Sequence, residues 1–419
     1  MIHLIFILLV AGIFLLRKSF SQYYFSPTGF LCITWMTFVF LMLIFAQDYY
    51  FTLQSSFYFF IFIFFFFLGE AAQHFISRKR KIEKKSFAIT PGFKRNFEWG
   101  LIIMGIVSLI GSVLYLFAFA SYFGGVSQLL TAGWAIRGAL IDGEIVVPVY
   151  IKLLLFPGYS NVIIALMYYV IFAKFRWYLV LPFIALFIMG SAQAGRAGFM
   201  LILFELYISV LFAIFYKNYL NQKMVKSETD LIKKSFILIF VVFTVFVGGD
   251  MLRTQNFSFN VQSAEVFRQY LFGGMSAFST YLDRRELSEI SYGYGRYSFS
   301  ALYDMLGIAK NEFGVYTEYL RISAKDYTLT TNIFTAFRQF MDDFGFGGTC
   351  ILMLVFGMIA NYYYNYAVKG NVKAIAVSIV LYTILFHTPL LTVTVHNSIL
   401  LTLVLPNLLL SFFSIKSRI

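Results

Sequence analysis

The chain alternates long apolar runs with short polar links, and the length of the runs sets the first expectation. A helix needs about 20 residues to cross ~30 Å of hydrocarbon. On that rule eleven helices are predicted, over residues 1–16, 28–46, 52–72, 99–122, 148–172, 177–194, 197–216, 235–251, 347–367, 373–388 and 394–415. The expected fold class is an all-α polytopic membrane protein forming one integrated membrane domain, with no internal repeat. Residues 1–251 carry helices one to eight, residues 252–346 form a large loop, and residues 347–419 carry helices nine to eleven. The first apolar run is followed, not preceded, by its basic pair Arg17 and Lys18 and lacks a small-residue cleavage site, so it reads as a retained helix rather than a signal peptide.

Inside the large loop the pattern changes. Ala264, Phe267, Leu271, Met275, Phe278 and Leu282 recur at helical spacing, which predicts an amphipathic helix with its apolar stripe against lipid or the bundle. Arg268 then projects at headgroup level. Residues 331–348 predict a further helix leading into the ninth span, with Thr335, Arg338 and Asp342 on one face. The stretch Gly293-Tyr294-Gly295-Arg296-Tyr297-Ser298-Phe299 reads as a flexible turn carrying an arginine between aromatics, as expected where sugar rings stack and a phosphate is clamped. Asp342-Asp343-Phe344-Gly345 shares three letters with a kinase motif, but no Gly-rich phosphate loop or catalytic-loop signature accompanies it, so that chemistry is excluded.

Composition supports the membrane assignment: 60% of residues are hydrophobic and 13% charged, and mean hydropathy is +0.78. Soluble domains run about 25% charged. A net charge of +13 would point to nucleic acid in a soluble protein, but in a membrane protein basic residues are first sorted by side. Arg17 with Lys18, the run 78–85, Lys174 with Arg176, the 217–234 segment, Lys369 with Lys373, and Lys416 with Arg418 fall on one face if the spans alternate. That face is expected to be cytoplasmic, which puts the N-terminus outside and the C-terminus inside. No nucleic-acid partner is expected.

The other face is expected to hold nine Arg and three Lys against six Arg and fifteen Lys inside, and seven of those nine arginines lie in the large loop. Arginine's planar fork grips phosphate or carboxylate at two points, so this bias asks for an anionic partner outside. Fourteen Asp and Glu share that side. Surface salt bridges with Asp283, Glu286 and Glu318 explain Arg284, Arg285 and Arg321 equally well. Cys32 and Cys350 lie in apolar runs and imply neither a disulfide nor a metal site, and His387 and His396 lack the further ligands a zinc site needs.

Gly190 to Gly198 joins two spans with almost no loop, and its small residues let helices pack backbone to backbone. Arg196, in that joint at the outer mouth, reads as an anion-binding residue, since ionisable groups at membrane depth are functional hypotheses by default. Glu205 lies about 13 Å deeper on the same helix, either as part of a proton path or, as we favour, as a neutral hydrogen-bonded structural acid.

Gly190 to Gly198 after a hydrophobic span, Tyr294-Gly295 followed by Ala301-Leu302, and Asn332-Ile333-Phe334-Thr335 leading to Asp343-Phe344-Gly345 and Gly348 together resemble the oligosaccharide repeat unit polymerases of the O-antigen, or Wzy, type. The resemblance implies a GT-C-like glycosyltransferase of the bacterial inner membrane with its site facing the periplasm. Such enzymes transfer a growing glycan from undecaprenyl pyrophosphate to a hydroxyl of a new lipid-linked repeat unit, without metal or cofactor. Carried onto this chain, Arg196, Arg268, Arg296 and Arg338 bind the pyrophosphate, and Tyr294, Tyr297, Asn332 and Thr335 contact substrate. The base is one of Asp342, Asp343 and His396, among which the sequence does not choose. Implied partners are undecaprenyl-pyrophosphate-linked glycans, membrane lipids and a chain-length regulator. Arg284 and Gly295 have the Arg, ten residues, Gly spacing of some members, with different residues around it. An O-antigen ligase shares the fold and leaving group. A flippase would need repeats and broken helices at midplane, whereas the polar residues here collect at the outer mouth.

Overall fold

The computed structural model describes residues 1–19, 21, 23–78, 90–132, 135, 136, 139, 144–172, 174–192, 197–221, 261–284, 292–308, 316, 318–326 and 328–416. Along these the chain is helical, and the sole sheet among the described residues is a two-stranded antiparallel pair, β1 (Leu320–Arg321) and β2 (Thr330–Thr331). The helices are α1 (Ile2–Leu16), α2 (Pro27–Phe45), α3 (Leu53–Arg78), α4 (Pro91–Phe123), α5 (Val126–Ala132), α6 (Val149–Leu155), α7 (Gly158–Phe172), α8 (Leu181–Ala192), α9 (Ala197–Asn221), α10 (Val261–Arg284), α11 (Ser300–Met305), α12 (Ala336–Ala367), α13 (Val372–His387) and α14 (Asn397–Lys416).

Six segments among the described residues are long and apolar enough to cross a membrane: Ile2–Ser19, Pro27–Phe45, Leu53–Ser77, Pro91–Phe123, Val149–Phe172 and Ala336–Ala367. Four shorter apolar helices accompany them, Trp177–Ala192, Leu203–Tyr216, Val372–His387 and Asn397–Phe412. The expected span 235–251 lies outside the described residues.

The structure departs from the expected boundaries for local reasons. The predicted span 148–172 is interrupted between α6 and α7, where Pro157 sits; proline lacks an N–H and keeps the residue before it out of the helical region. α4 starts eight residues earlier than predicted, with Pro91 at its first position and Thr90 Oγ1 accepting from Phe93 N at 3.1 Å. Residues 331–335, expected to be helical, instead carry the end of the strand pair and a short extended link, and α12 then runs through to Ala367.

The chain forms two compact units. Unit 1 comprises residues 1–84, 264–365 and 381–397. Its centre is aromatic: the Trp35 ring stacks on Phe337 at 5.2 Å and meets Phe59 at 4.7 Å, and Phe59 stacks on Phe278 at 4.8 Å. In lipid, helices associate through close packing rather than expulsion of water, and small residues permit it. A Cβ on Gly69 would come 1.9 Å from the Leu354 carbonyl oxygen, and one on Gly357 2.1 Å from that of Phe66. α3 and α12 therefore touch backbone to backbone, and Asn361 Nδ2 adds a 2.9 Å bond to the Glu70 carbonyl.

The two ends of unit 1 differ. At the start of α1 the His3 ring stacks on Phe51, and the 46–52 link is tied to the hairpin by Tyr50 N to Ile322 O (2.9 Å) and Ala324 N to Asp48 O (2.8 Å). The turn after α13 joins them through Ala336 N to Thr388 O (3.1 Å). At the far end of α1, Arg17 is buried and donates to Ser26 Oγ at 3.0 Å, while Glu70 accepts from Thr28 N at 2.6 Å. In unit 2, Asn161 Nδ2 bonds Met104 O (3.1 Å) and Ser108 Oγ (2.5 Å), and Tyr168 donates to Glu98 at 2.6 Å, pinning α7 to α4.

Candidate functional site

α10 is the amphipathic helix that its spacing predicts, and its stripe faces protein. Phe272, Met275, Ala277, Phe278 and Leu282 are buried, with Phe278 against Phe59. Its polar side binds the hairpin: Ser276 Oγ donates to Ile322 O at 2.6 Å and Thr280 Oγ1 to Arg321 O at 2.7 Å. The helix carries Arg268 in one half and Tyr281 in the other, thirteen residues or roughly 20 Å of helix axis apart.

Arg268 is paired with two acids through Nη1 and Nη2, while its Nε is buried without a hydrogen-bond partner. Its Nη1 reaches Glu265 Oε2 at 2.8 Å, its Nη2 pairs with Asp48, and the guanidinium lies over the Tyr49 ring at 5.0 Å. Tyr49 in turn donates to Glu265 at 2.5 Å, and Ser323 Oγ to Asp48 Oδ2 at 3.3 Å. Burial, then the bond to Glu265, pushes the Tyr49 phenol above its ordinary pKa. One arginine facing two carboxylates leaves the group net negative. Glu265 is one helical turn away, and the loop before α3 supplies Asp48.

Arg338 is placed differently. It projects from the first turn of α12, its side chain only 4% exposed, into a box of rings: the guanidinium carbon is 3.8 Å from the Phe334 ring centre, 3.9 Å from Tyr316 and 4.6 Å from Tyr281. Its Nη2 pairs with Glu318, whose side chain is 51% exposed. Asp342, one turn on, comes within 3.5 Å of Nε without making a hydrogen bond, and Nε and Nη1 are both buried with no hydrogen-bond partner. The oxygens of Asp342 are taken up elsewhere: Tyr281 donates to Oδ1, and Tyr316 to Oδ2 at 2.5 Å. The Tyr316 phenol is raised above its ordinary pKa by burial first and by Asp342 second. Tyr297 stacks on Tyr316 at 5.8 Å, continuing the aromatic wall, and Thr335 Oγ1, in the link just before α12, is a further buried polar atom without a hydrogen bond.

Directly after this turn α12 breaks. Gly345 adopts φ 68° and ψ −175°, a left-handed φ that glycine alone takes readily, and a Cβ there would lie 2.8 Å from the Tyr292 ring. The break deprives the carbonyls of Asp342 and Asp343 of their intrahelical donors, and the 293–298 loop supplies them from Gly293 N and Tyr294 N, both at 3.1 Å. The Asp343 carboxylate, fully buried, accepts from Tyr297 N (3.0 Å), Ser298 N (2.6 Å) and Ser298 Oγ (2.5 Å). Asp343, one of the three candidate bases, thus anchors the 293–298 loop to α12.

Among the expected site residues the structure gathers Arg338, Asp342 and Thr335, with Tyr297 at the edge. Tyr294, Arg296 and Asn332 are exposed, and Tyr294, at φ 49°, offers its carbonyl to the Tyr303 hydroxyl at 2.5 Å. His396 follows a 3-10 turn, Val393–Val395, which Thr394 ties to the Ser298 carbonyl at 2.5 Å. Arg196, with Arg253 and Arg285, lies outside the described residues. Residues that sequence reasoning missed are Tyr281, Tyr316, Asp48 and Glu265, while Glu318 was assigned to Arg321 and is found on Arg338. Arg321 instead donates to the carbonyls of Ser323 (2.7 Å) and Ala324 (3.0 Å). Only Glu265, three residues before Arg268, had a spacing that announced it. No family model, curated protein or solved structure matches the chain.

Proposed function

We propose that this protein polymerises undecaprenyl-pyrophosphate-linked oligosaccharide repeat units into O-antigen or a related surface polysaccharide, by glycosyl transfer on the periplasmic face of the bacterial inner membrane. In this reading the fold is a GT-C-like bundle of eleven spans with a periplasmic N-terminus and a cytoplasmic C-terminus. The observation that carries it is the buried Arg338 guanidinium, which holds two unspent nitrogens inside an aromatic box. The motif resemblance supplies the substrate class.

The chemistry asks for such a group. As the acceptor oxygen bonds to the anomeric carbon, the bond from that carbon to the donor diphosphate breaks and its electron pair leaves with the diphosphate. A fixed guanidinium in a low-dielectric pocket stabilises the departing charge. The acceptor hydroxyl gives up its proton, and Asp342, beside Arg338, is better situated to take it than buried Asp343. Tyr297, stacked outside Tyr316, offers a ring face to a sugar.

The test is incubation of the purified protein with lipid-linked repeat units, following chain growth. Wild-type protein is expected to build a ladder of products and Arg338→Ala to build none. Polymerisation by Arg338→Ala at the wild-type rate sinks the proposal. In cells, loss of the protein should leave single repeat units on the surface lipid, whereas loss of a ligase leaves no glycan there.

A further inference from the structure

We infer that Glu318 is an exchangeable counter-ion, occupying on Arg338 the place that the ligand's phosphate takes, so that the site binds a diphosphate by swapping one anion for another. The inference rests on the proposed reading only for the ligand class.

The argument begins with charge. Arg338 contributes one positive charge, and Glu318 and Asp342 one negative charge each, so a third anion is repelled unless a carboxylate leaves. The two carboxylates are not equally free to do so. Asp342 belongs to the same helix as Arg338, and each of its oxygens already accepts from a tyrosine hydroxyl, Tyr281 and Tyr316. Those phenols also explain why a carboxylate one turn away, 3.5 Å from Nε, fails to make the hydrogen bond that this spacing usually allows.

Glu318 has the opposite character. Its side chain is 51% exposed while that of Arg338 is 4% exposed, so one partner is locked in the rings and the other stands in solvent. It precedes β1 by two residues, outside the strand pairing. Its departure frees Nη2 next to Nε and Nη1, which have no hydrogen-bond partner while Glu318 is in place. Nη2 is then available to a phosphate oxygen, and Nη1 beside it has no hydrogen-bond partner to lose, the pair of donors that a two-point grip needs. The resting ion pair covers the charge of a buried arginine, and the ligand replaces it.

Calorimetric titration of the full-length protein in nanodiscs, with inorganic pyrophosphate and separately with farnesyl diphosphate, tests this. Glu318→Gln is expected to lower Kd for both probes about tenfold, the effect of removing a competing charged partner worth ~1.4 kcal/mol. Arg338→Gln should abolish binding of both. Asp326→Asn removes an exposed carboxylate from the turn between β1 and β2, where it accepts from Thr328, and should change Kd by less than about twofold, as expected for a distant surface charge. A larger gain for farnesyl diphosphate than for pyrophosphate identifies the lipid-borne form as the ligand. An unchanged Kd in Glu318→Gln, with binding still lost in Arg338→Gln, overturns the exchange and leaves the anion site standing. Tightening by Asp326→Asn as strong as by Glu318→Gln reduces the effect to bulk charge and also overturns it. Binding that survives Arg338→Gln removes the Arg338 site itself.

Discussion

Arg268 and Arg338 stand in the same unit, each beside two carboxylates and against a tyrosine ring, and the structure treats them in opposite ways. At Arg268 both acids bond the guanidinium and are braced in turn by Tyr49 and Ser323. At Arg338 one acid bonds the guanidinium, the other stands 3.5 Å from Nε with its oxygens held by two phenols, and Nε and Nη1 make no hydrogen bond inside a box of rings. A carboxylate near an arginine therefore does not by itself spend the arginine. What decides is where the carboxylate's own oxygens go, and the first group is a clasp between α10 and the 46–52 link while the second leaves Nε and Nη1 of its arginine without hydrogen bonds.

The largest expected effect separates the two directly. Arg338→Gln should slow repeat-unit polymerisation by about 100-fold or more, the scale of losing one preorganised charge-stabilising donor, while Arg268→Gln should stay within about threefold once corrected for folded protein. Equal losses in both would erase the distinction. Next, Arg268→Ala leaves Asp48 and Glu265 facing each other without a cation. With side chains about a quarter exposed, the cost should be about 1–2 kcal/mol, below that of a fully buried pair. Denaturation in detergent measures it, and adding Asp48→Asn should recover part.

A smaller effect probes the phenols. Tyr316→Phe releases Asp342 Oδ2, which can then close on Arg338 Nε and compete with an incoming anion. Pyrophosphate affinity should fall about fivefold, the worth of one hydrogen bond near 1 kcal/mol, and Asp342→Asn in the same protein should restore it. An unaltered Kd would show that the tyrosines merely fill space. The smallest effect is invisible at neutral pH. Tyr49 and Tyr316 both have raised folded-state values, so the stability they contribute is fully present below the ordinary phenol value of about 10 and is lost as pH rises beyond it toward the higher folded value. Thermal melts above about pH 10 should fall, and Tyr49→Phe should flatten that fall at the Arg268 group.

Much of this was legible from spacing, because spacing reports on neighbours along one element. The stripe from Ala264 to Leu282 foretold α10, and the spacing of Arg338 and Asp342 put them one turn apart on α12, whereas Thr335 lies in the link before that helix. What stayed hidden were the partners contributed across the fold. Asp48 is 220 positions from Arg268, and Tyr281 is 61 from Asp342. A periodic pattern carries no information about either. The Asp-Asp-Phe-Gly sequence illustrates both sides: its letters invited a catalytic reading, yet its second acid binds the 297–298 amides and its glycine breaks a helix. The boundary errors have local causes that length and hydropathy do not register: the proline that interrupts 148–172, the Thr90–Pro91 cap that starts α4, and the strand pairing at Thr330–Thr331.

The contact of Gly69 and Gly357 has a mechanical corollary. With the backbones of α3 and α12 pressed together, the lower part of α12 is a fixed post that can neither slide nor roll without steric collision. The left-handed residue at Gly345 is the nearest joint above it. The nine residues Ala336 to Phe344, about 14 Å of helix, therefore form the part of α12 that lies beyond that joint and outside the glycine contact.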